Sequence, residues 1–197
     1  MVLEIVGARF LAKDFGSSFY IWVSQIGIVL AALALGYFAG GALADRRQRA
    51  GALAGLLVAA GLFTGAIPFF APRLINGIIT RHPTDRTIPI LWQKLDPAIG
   101  SALIFLFPCG VLAMLPPCVI RLSARRVGHV GRISGLVFAF STLGSLVGVV
   151  VSGYALIDLM RLSNIFHVTG VLIILLGGLC WFTDKLPLAS SDASIEG

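Results

Sequence analysis

The chain has 197 residues, of which 57% are hydrophobic and only 12% charged, about half the share of roughly 25% usual in soluble domains. A mean hydropathy of +0.95 excludes an ordinary soluble globular domain. The net charge of +6 does not mark a nucleic-acid partner, because the arginines sit in short stretches between apolar runs and no basic groove with interleaved aromatics occurs.

The first apolar segment, 1–12, is too short to cross a bilayer and carries Glu4 and Arg9. It predicts a short or truncated first membrane helix, the second half of a span, and it lacks the basic start and small-residue cleavage site of a signal peptide. A turn containing Lys13, Asp14 and Gly16 leads into the second span, 19–43. No charged side chain occurs between Phe15 and Ala44, enough residues for a crossing that needs roughly 20. Tyr20 and Trp22 stand at its interfacial end. Ala32, Gly36, Gly40 and Ala44 recur every fourth residue, the spacing that lets another helix backbone come close where lipid removes the usual hydrophobic drive.

Asp45 and the arginines through Arg49 close this span. The third, 50–72, repeats the small-residue spacing in Gly51 and Gly55 and again in Gly61 and Gly65, and Pro68 and Pro72 predict its kink or end. A long polar connection, 73–96, follows; its first half reads as a weakly amphipathic surface helix and its second as a loop. The fourth span, 98–120, contains Pro108, Pro116 and Pro117 and is expected to bend or break. The stretch 121–132 brings Arg121, Arg125, Arg126 and Arg132 with no acid, a contact surface for anionic lipid headgroups. The fifth span, 133–157, is marked by Gly135, Gly144, Gly148 and Gly153; the sixth, 165–182, ends in Trp181. A polar tail, 184–197, follows the membrane domain.

These segments predict an all-α integral membrane protein of about six transmembrane helices. If the spans alternate, the arginine stretches 45–49 and 121–132 share one side, which the positive-inside rule makes cytoplasmic. Arg9, Gly16 and Gly36 recur at the spacing of Arg121, Gly128 and Gly148, and Gly40 and Asp45 recur one residue further on as Gly153 and Asp158. Three spans lie between the copies, so they would cross in opposite directions, the arrangement of an inverted repeat.

Glu4 is an acid inside an apolar segment and raises a functional candidate. Asp45 is placed to accept hydrogen bonds from a helix terminus, from Arg46 or Arg49, or from the arginines of 121–132. Gln25, Ser141, Thr142 and Ser145 are the intramembrane polar residues, read either as lining a path or as interhelical hydrogen bonds. Ala32, Gly36, Gly40, Gly51, Gly55, Gly144 and Gly148 are the expected helix-packing positions. His82, His129 and His167 lie in different segments, and Cys109, Cys118 and Cys180 have no ligand spacing, so no metal, haem or other cofactor is expected. The cysteines read as small buried hydrophobes. No Ser/His/Asp set or phosphate loop occurs.

Three segments carry a resemblance: LEIVGARFLAKDFGSSFYIW, GYFAGGALADRRQR and VGRISGLVFAFSTLGSLVGVVVSGYALI. Together they resemble the membrane part of the fused major-facilitator-like and spermidine-synthase-like proteins of bacteria, most specifically at STLGS, 141–145. The middle segment is also similar to the cytoplasmic loop signature of major facilitator transporters, on Gly41, Asp45, Arg46 and Arg49, with Gln48 where that signature usually has glycine. The resemblance implies one half of a major facilitator fold in a bacterial inner membrane. It also implies a following aminopropyltransferase-like domain, with a glycine-rich nucleoside loop and polyamine-holding carboxylates. Neither feature occurs, and the fifteen residues after Phe182 are too few to supply them. The expectation is therefore a non-catalytic membrane subunit, packed by its glycine faces onto other integral membrane subunits as an accessory or scaffold part. The alternative is a half-transporter moving a small solute such as a polyamine, as a dimer or with a partner half.

Overall fold

The computed structural model describes residues 1–16, 19–46, 50–81, 89–123 and 130–185. Its elements in order are α1 (Val2–Phe15), α2 (Phe19–Arg46), α3 (Ala50–Ile79), α4 (Ile90–Ala113), α5 (Leu115–Ser123), α6 (Val130–Val151), a π-helical turn (Ser152–Leu156), α7 (Ile157–Leu159) and α8 (Leu162–Lys185). Five apolar stretches are long enough to cross a membrane: Phe19–Arg46, Leu53–Ile79, Ile90–Ser123, Val130–Leu159 and Leu162–Phe182. The shortest has 21 residues and rises about 32 Å, which matches a hydrocarbon core of about 30 Å.

Helix α1 is different. Its 14 residues rise about 21 Å, too little for a crossing. Leu3, Val6, Gly7, Phe10 and Leu11 recur at helical spacing and all are buried. The helix is a wedge in the core, ended by Gly16 at φ 83°, a conformation that glycine adopts without steric cost. Phe10 meets Phe166 of α8 edge to face at 5.5 Å, and Phe105 of α4 lies 6.2 Å from the same ring.

Helices α2 and α4 run parallel, in register from Gln25 beside Ser101 to Asp45 beside Arg121. The buried face of α2 is Ile21, Gln25, Val29, Ala32, Gly36, Gly40 and Ala44. A Cβ on Gly36 would fall inside van der Waals contact of the Gly110 carbonyl oxygen and 2.5 Å from Ala113 Cβ; one on Gly40 would fall 2.7 Å from Met114 Cα. Helices α3 and α8 run antiparallel with Gly61 and Gly65 against Gly170. These two tight pairs form the body of the bundle.

Three expected boundaries are corrected. Helix α3 does not stop at Pro72 but continues to Ile79 with Pro68 and Pro72 inside it. The reason is burial: Ile67, Ala71, Ile75 and Ile78 keep one apolar line facing the core past both prolines. The first half of 73–96 is accordingly the last two turns of α3, not a separate surface helix. Helix α4 begins at Ile90 rather than near residue 98, with Pro89 before it and Asp96 and Pro97 buried inside it. The turn at Met114 separates α4 from α5, where Pro116 and Pro117 remove two successive N–H donors from the ladder.

Candidate functional site

Gln25 and Ser101 are both fully buried, and the Ser101 hydroxyl donates to Gln25 Oε1 over 2.6 Å. Gln25 Nε2 has no hydrogen-bond acceptor among the described residues. That amide faces α1, since a Cβ on Gly7 would sit 2.7 Å from Nε2 and equally close to the Phe105 ring. Buried hydrogen bonds of this kind fix the register of neighbouring helices where no water is present to replace them. Asp96, on the same helix as Ser101, is 5% exposed. Sequence reasoning missed it by starting the fourth span just beyond it; the apolar run Ile90, Leu91 and Trp92 was the available signal that the helix starts earlier.

At the opposite end of α2, Arg121 Nε lies 3.3 Å from Asp45 Oδ1, joining the ends of α2 and α5. Both side chains are largely exposed, so the pair orients these ends more than it stabilises them. Cys118 Sγ donates to the Gly40 carbonyl 3.4 Å away, just inside the same end. Arg46 and Arg132 are exposed, and Gly41 faces open space. Arg49, Arg125 and Arg126 lie outside the described residues, as do His82 and His129.

The remaining polar positions separate. The Thr142 hydroxyl donates to the carbonyl of Phe138 in its own helix at 2.8 Å, so it serves neither a path nor a neighbouring helix. Ser141 and Ser145 line a cavity of about 300 Å³ between α2, α4, α6 and α8, with the first residues of α1 forming part of its wall. Tyr37, Cys109 and Thr169 also line it. Sequence reasoning missed Tyr37 and Thr169 because each stands alone in an apolar run, and it read Cys109 only as a small buried hydrophobe. Glu4, in the first turn of α1, is half-buried and does not line the cavity. His167 stacks on Phe69 at 5.5 Å. No group of three or more His, Cys, Asp or Glu able to hold a metal occurs among the described residues.

Helix α6 stands apart from the other long helices. It has no buried residue. It touches the bundle at α5 and at α1, where Gly148 lies against Val2. At the top of this contact Ser152 Oγ donates to the Gly148 carbonyl at 2.5 Å, and the helix widens there into its π turn. A hydroxyl competing for that carbonyl weakens the regular ladder, which is a physical route to such a bulge. Gly55 and Gly144 meet no other described helix of this chain: a Cβ on either would find nothing within 4 Å. Close approach in α3 falls instead on Gly61, because that is where α8 crosses. Gly51 is half-buried.

No protein-family model, no curated protein and no solved structure matches the chain.

Proposed function

We propose that this chain is a non-catalytic, multi-pass membrane subunit that joins other integral membrane subunits through α6. The observation that carries the reading is a 30-residue stretch, Val130–Leu159, none of whose most apolar window is buried. Phe140 is 70% and Tyr154 82% exposed, and Gly131, Gly135, Gly144 and Gly153 are open to close approach by another backbone. Lipid solvates this surface in the isolated chain; a second transmembrane helix seated along Phe140 and Gly144, one turn apart on one face, would gain packing that lipid tails do not give. In this reading the membrane is the bacterial inner membrane, and the ends of α2 and α5 joined by Asp45 and Arg121 face the cytoplasm. The likeness to the membrane part of fused major-facilitator-like and synthase-like proteins belongs to the same proposal.

The cavity favours a second reading, a half-transporter completed by a second half. For a polyamine the support is thin, because no carboxylate lines the cavity and a desolvated polycation needs several. Purification in mild detergent after crosslinking through Phe140→Cys and Gly144→Cys separates the two. The subunit reading expects adducts to a different membrane chain. A particle containing only this chain, with both cysteines uncrosslinked, overturns it.

A further inference from the structure

The cavity between α2, α4, α6 and α8 has a chemistry that its size alone does not convey. At about 300 Å³ it is at the small end of ligand pockets, roughly 300–1,000 Å³. Its walls are apolar, from Val29, Leu33, Leu112 and Ile173 among others, but four hydroxyls also line it: Tyr37, Ser141, Ser145 and Thr169. Several hydroxyls of the bundle bond to the carbonyl four residues back, as Thr64 does to Ala60 in α3 and Thr142 to Phe138 in α6 itself. None of the four cavity hydroxyls has a hydrogen bond to another described residue. In hydrocarbon a hydroxyl without a partner is costly, and four around one space are donors and acceptors held ready for something that enters it.

Charge and depth narrow what that is. No charged side chain lines the cavity and the Met1 α-amino group stands in its wall, so a cation would be left uncompensated in the membrane interior. Counting along the helices, Tyr37 is nine residues from Arg46, Ser141 eleven from Val130 and Thr169 seven from Leu162, which puts the hydroxyls about 10–17 Å inside the helix ends. A phospholipid keeps its ester carbonyls at the interface and can offer only tails at that depth. The cavity is not sealed, since Tyr37 is 43% exposed.

We infer that this cavity binds an uncharged amphiphile that carries an oxygen into the hydrocarbon interior, a long-chain or isoprenoid alcohol or ketone. Its oxygen exchanges hydrogen bonds with about two or three of the hydroxyls of Ser141, Ser145, Thr169 and Tyr37, the capacity of one alcohol or ketone oxygen, and its chain lies along Val29, Leu33 and Ile173. The inference does not depend on the subunit reading, because it uses the inward face of α6 and leaves the outward face free.

The test uses the full chain in nanodiscs and three photoprobes carrying the same mid-chain diazirine: a long-chain alcohol, the corresponding fatty acid, and a phosphatidylcholine with the group in one tail. The alcohol should label peptides containing Val29 to Tyr37 and Ser141 to Ser145, and excess unlabelled alcohol should remove that label. Ser145→Leu, which fills the space, should abolish it while labelling of lipid-facing Leu175 and Leu179 by the phosphatidylcholine probe persists and reports an intact fold. Ser141→Ala with Ser145→Ala should weaken competition by about three- to tenfold, the effect of losing about one ordinary hydrogen bond. Equal labelling of the cavity peptides by all three probes, or alcohol labelling unchanged in Ser145→Leu, overturns the inference.

Discussion

Gly36→Ala tests the central contact of the bundle. The added methyl would meet the Gly110 carbonyl oxygen and lie 2.5 Å from Ala113 Cβ. The first of these is backbone, so no rotamer change relieves it, and α2 and α4 must separate. Overpacking of this kind costs about 1–3 kcal/mol. Against it stands the helix propensity of alanine over glycine, worth about 0.8–1 kcal/mol. Gly27→Ala isolates the two effects: it lies in the same helix, and its Cβ would meet nothing within 4 Å. The difference between the variants is therefore the packing contribution alone. At about 2–4 °C per kcal/mol for a chain of this size, Gly36→Ala should melt about 2–12 °C below Gly27→Ala. Thermal unfolding of both in the same nanodisc lipid measures it, and melting temperatures that coincide would refute the claim that backbone contact at Gly36 joins α2 to α4.

Ser101→Ala leaves the fully buried Gln25 without its one hydrogen-bond donor and should cost about 1–3 kcal/mol; in a double-mutant cycle with Gln25→Leu the second change should add little, read by the same melts. Asp45→Ala removes an ion pair whose side chains are 49% and 74% exposed, so it should shift stability by no more than about 1 kcal/mol, and salt titration should erase what shift there is. In oriented vesicles, Arg46→Cys and Arg121→Cys should react with a membrane-impermeant maleimide from one side and Arg81→Cys from the other, because α3 carries Arg81 back across the bundle.

The spans from α2 onward were legible because charge cannot be hidden in lipid: the charge-free run before Asp45 and the arginines after Ser123 mark helix ends with little ambiguity. The line Ala32, Gly36, Gly40 and Ala44 was legible for a related reason, since four small residues on one face of a long apolar helix have few uses besides close packing. Other glycines were not. Gly55 and Gly61 have the same local spacing, yet only Gly61 meets another helix; the difference lies in where α8 crosses, which no local pattern contains. Pro72 looked like a stop because its own effect on the ladder is local, while the burial of Ile75 and Ile78 that carries α3 past it is tertiary. Asp96 was read as loop for the same reason, its burial depending on α4 starting a full two turns earlier.

The cavity and the exposed side of α6 belong to one helix, with Met1, Val2 and Leu3 at the cavity's edge. Helix α6 is held where it touches α5 and α1. Its residues are nonetheless sorted. Ser134, Ser141, Ser145 and Ser152 follow one helical face, and Ser141 and Ser145 of it line the cavity. Leu136, Phe140, Leu143, Val147, Val150 and Tyr154 follow the opposite face, each well exposed. A helix that merely floated in lipid would have no reason to gather its serines on one face. Two separable consequences follow for one helix: Ser145→Leu should fill the cavity, abolish its photolabelling and leave crosslinking to a partner intact, whereas Phe140→Ala with Leu143→Ala should weaken the partner contact and leave photolabelling of the cavity unchanged. Loss of both properties in either variant would mean that α6 has a single face and that one of the two proposals is wrong.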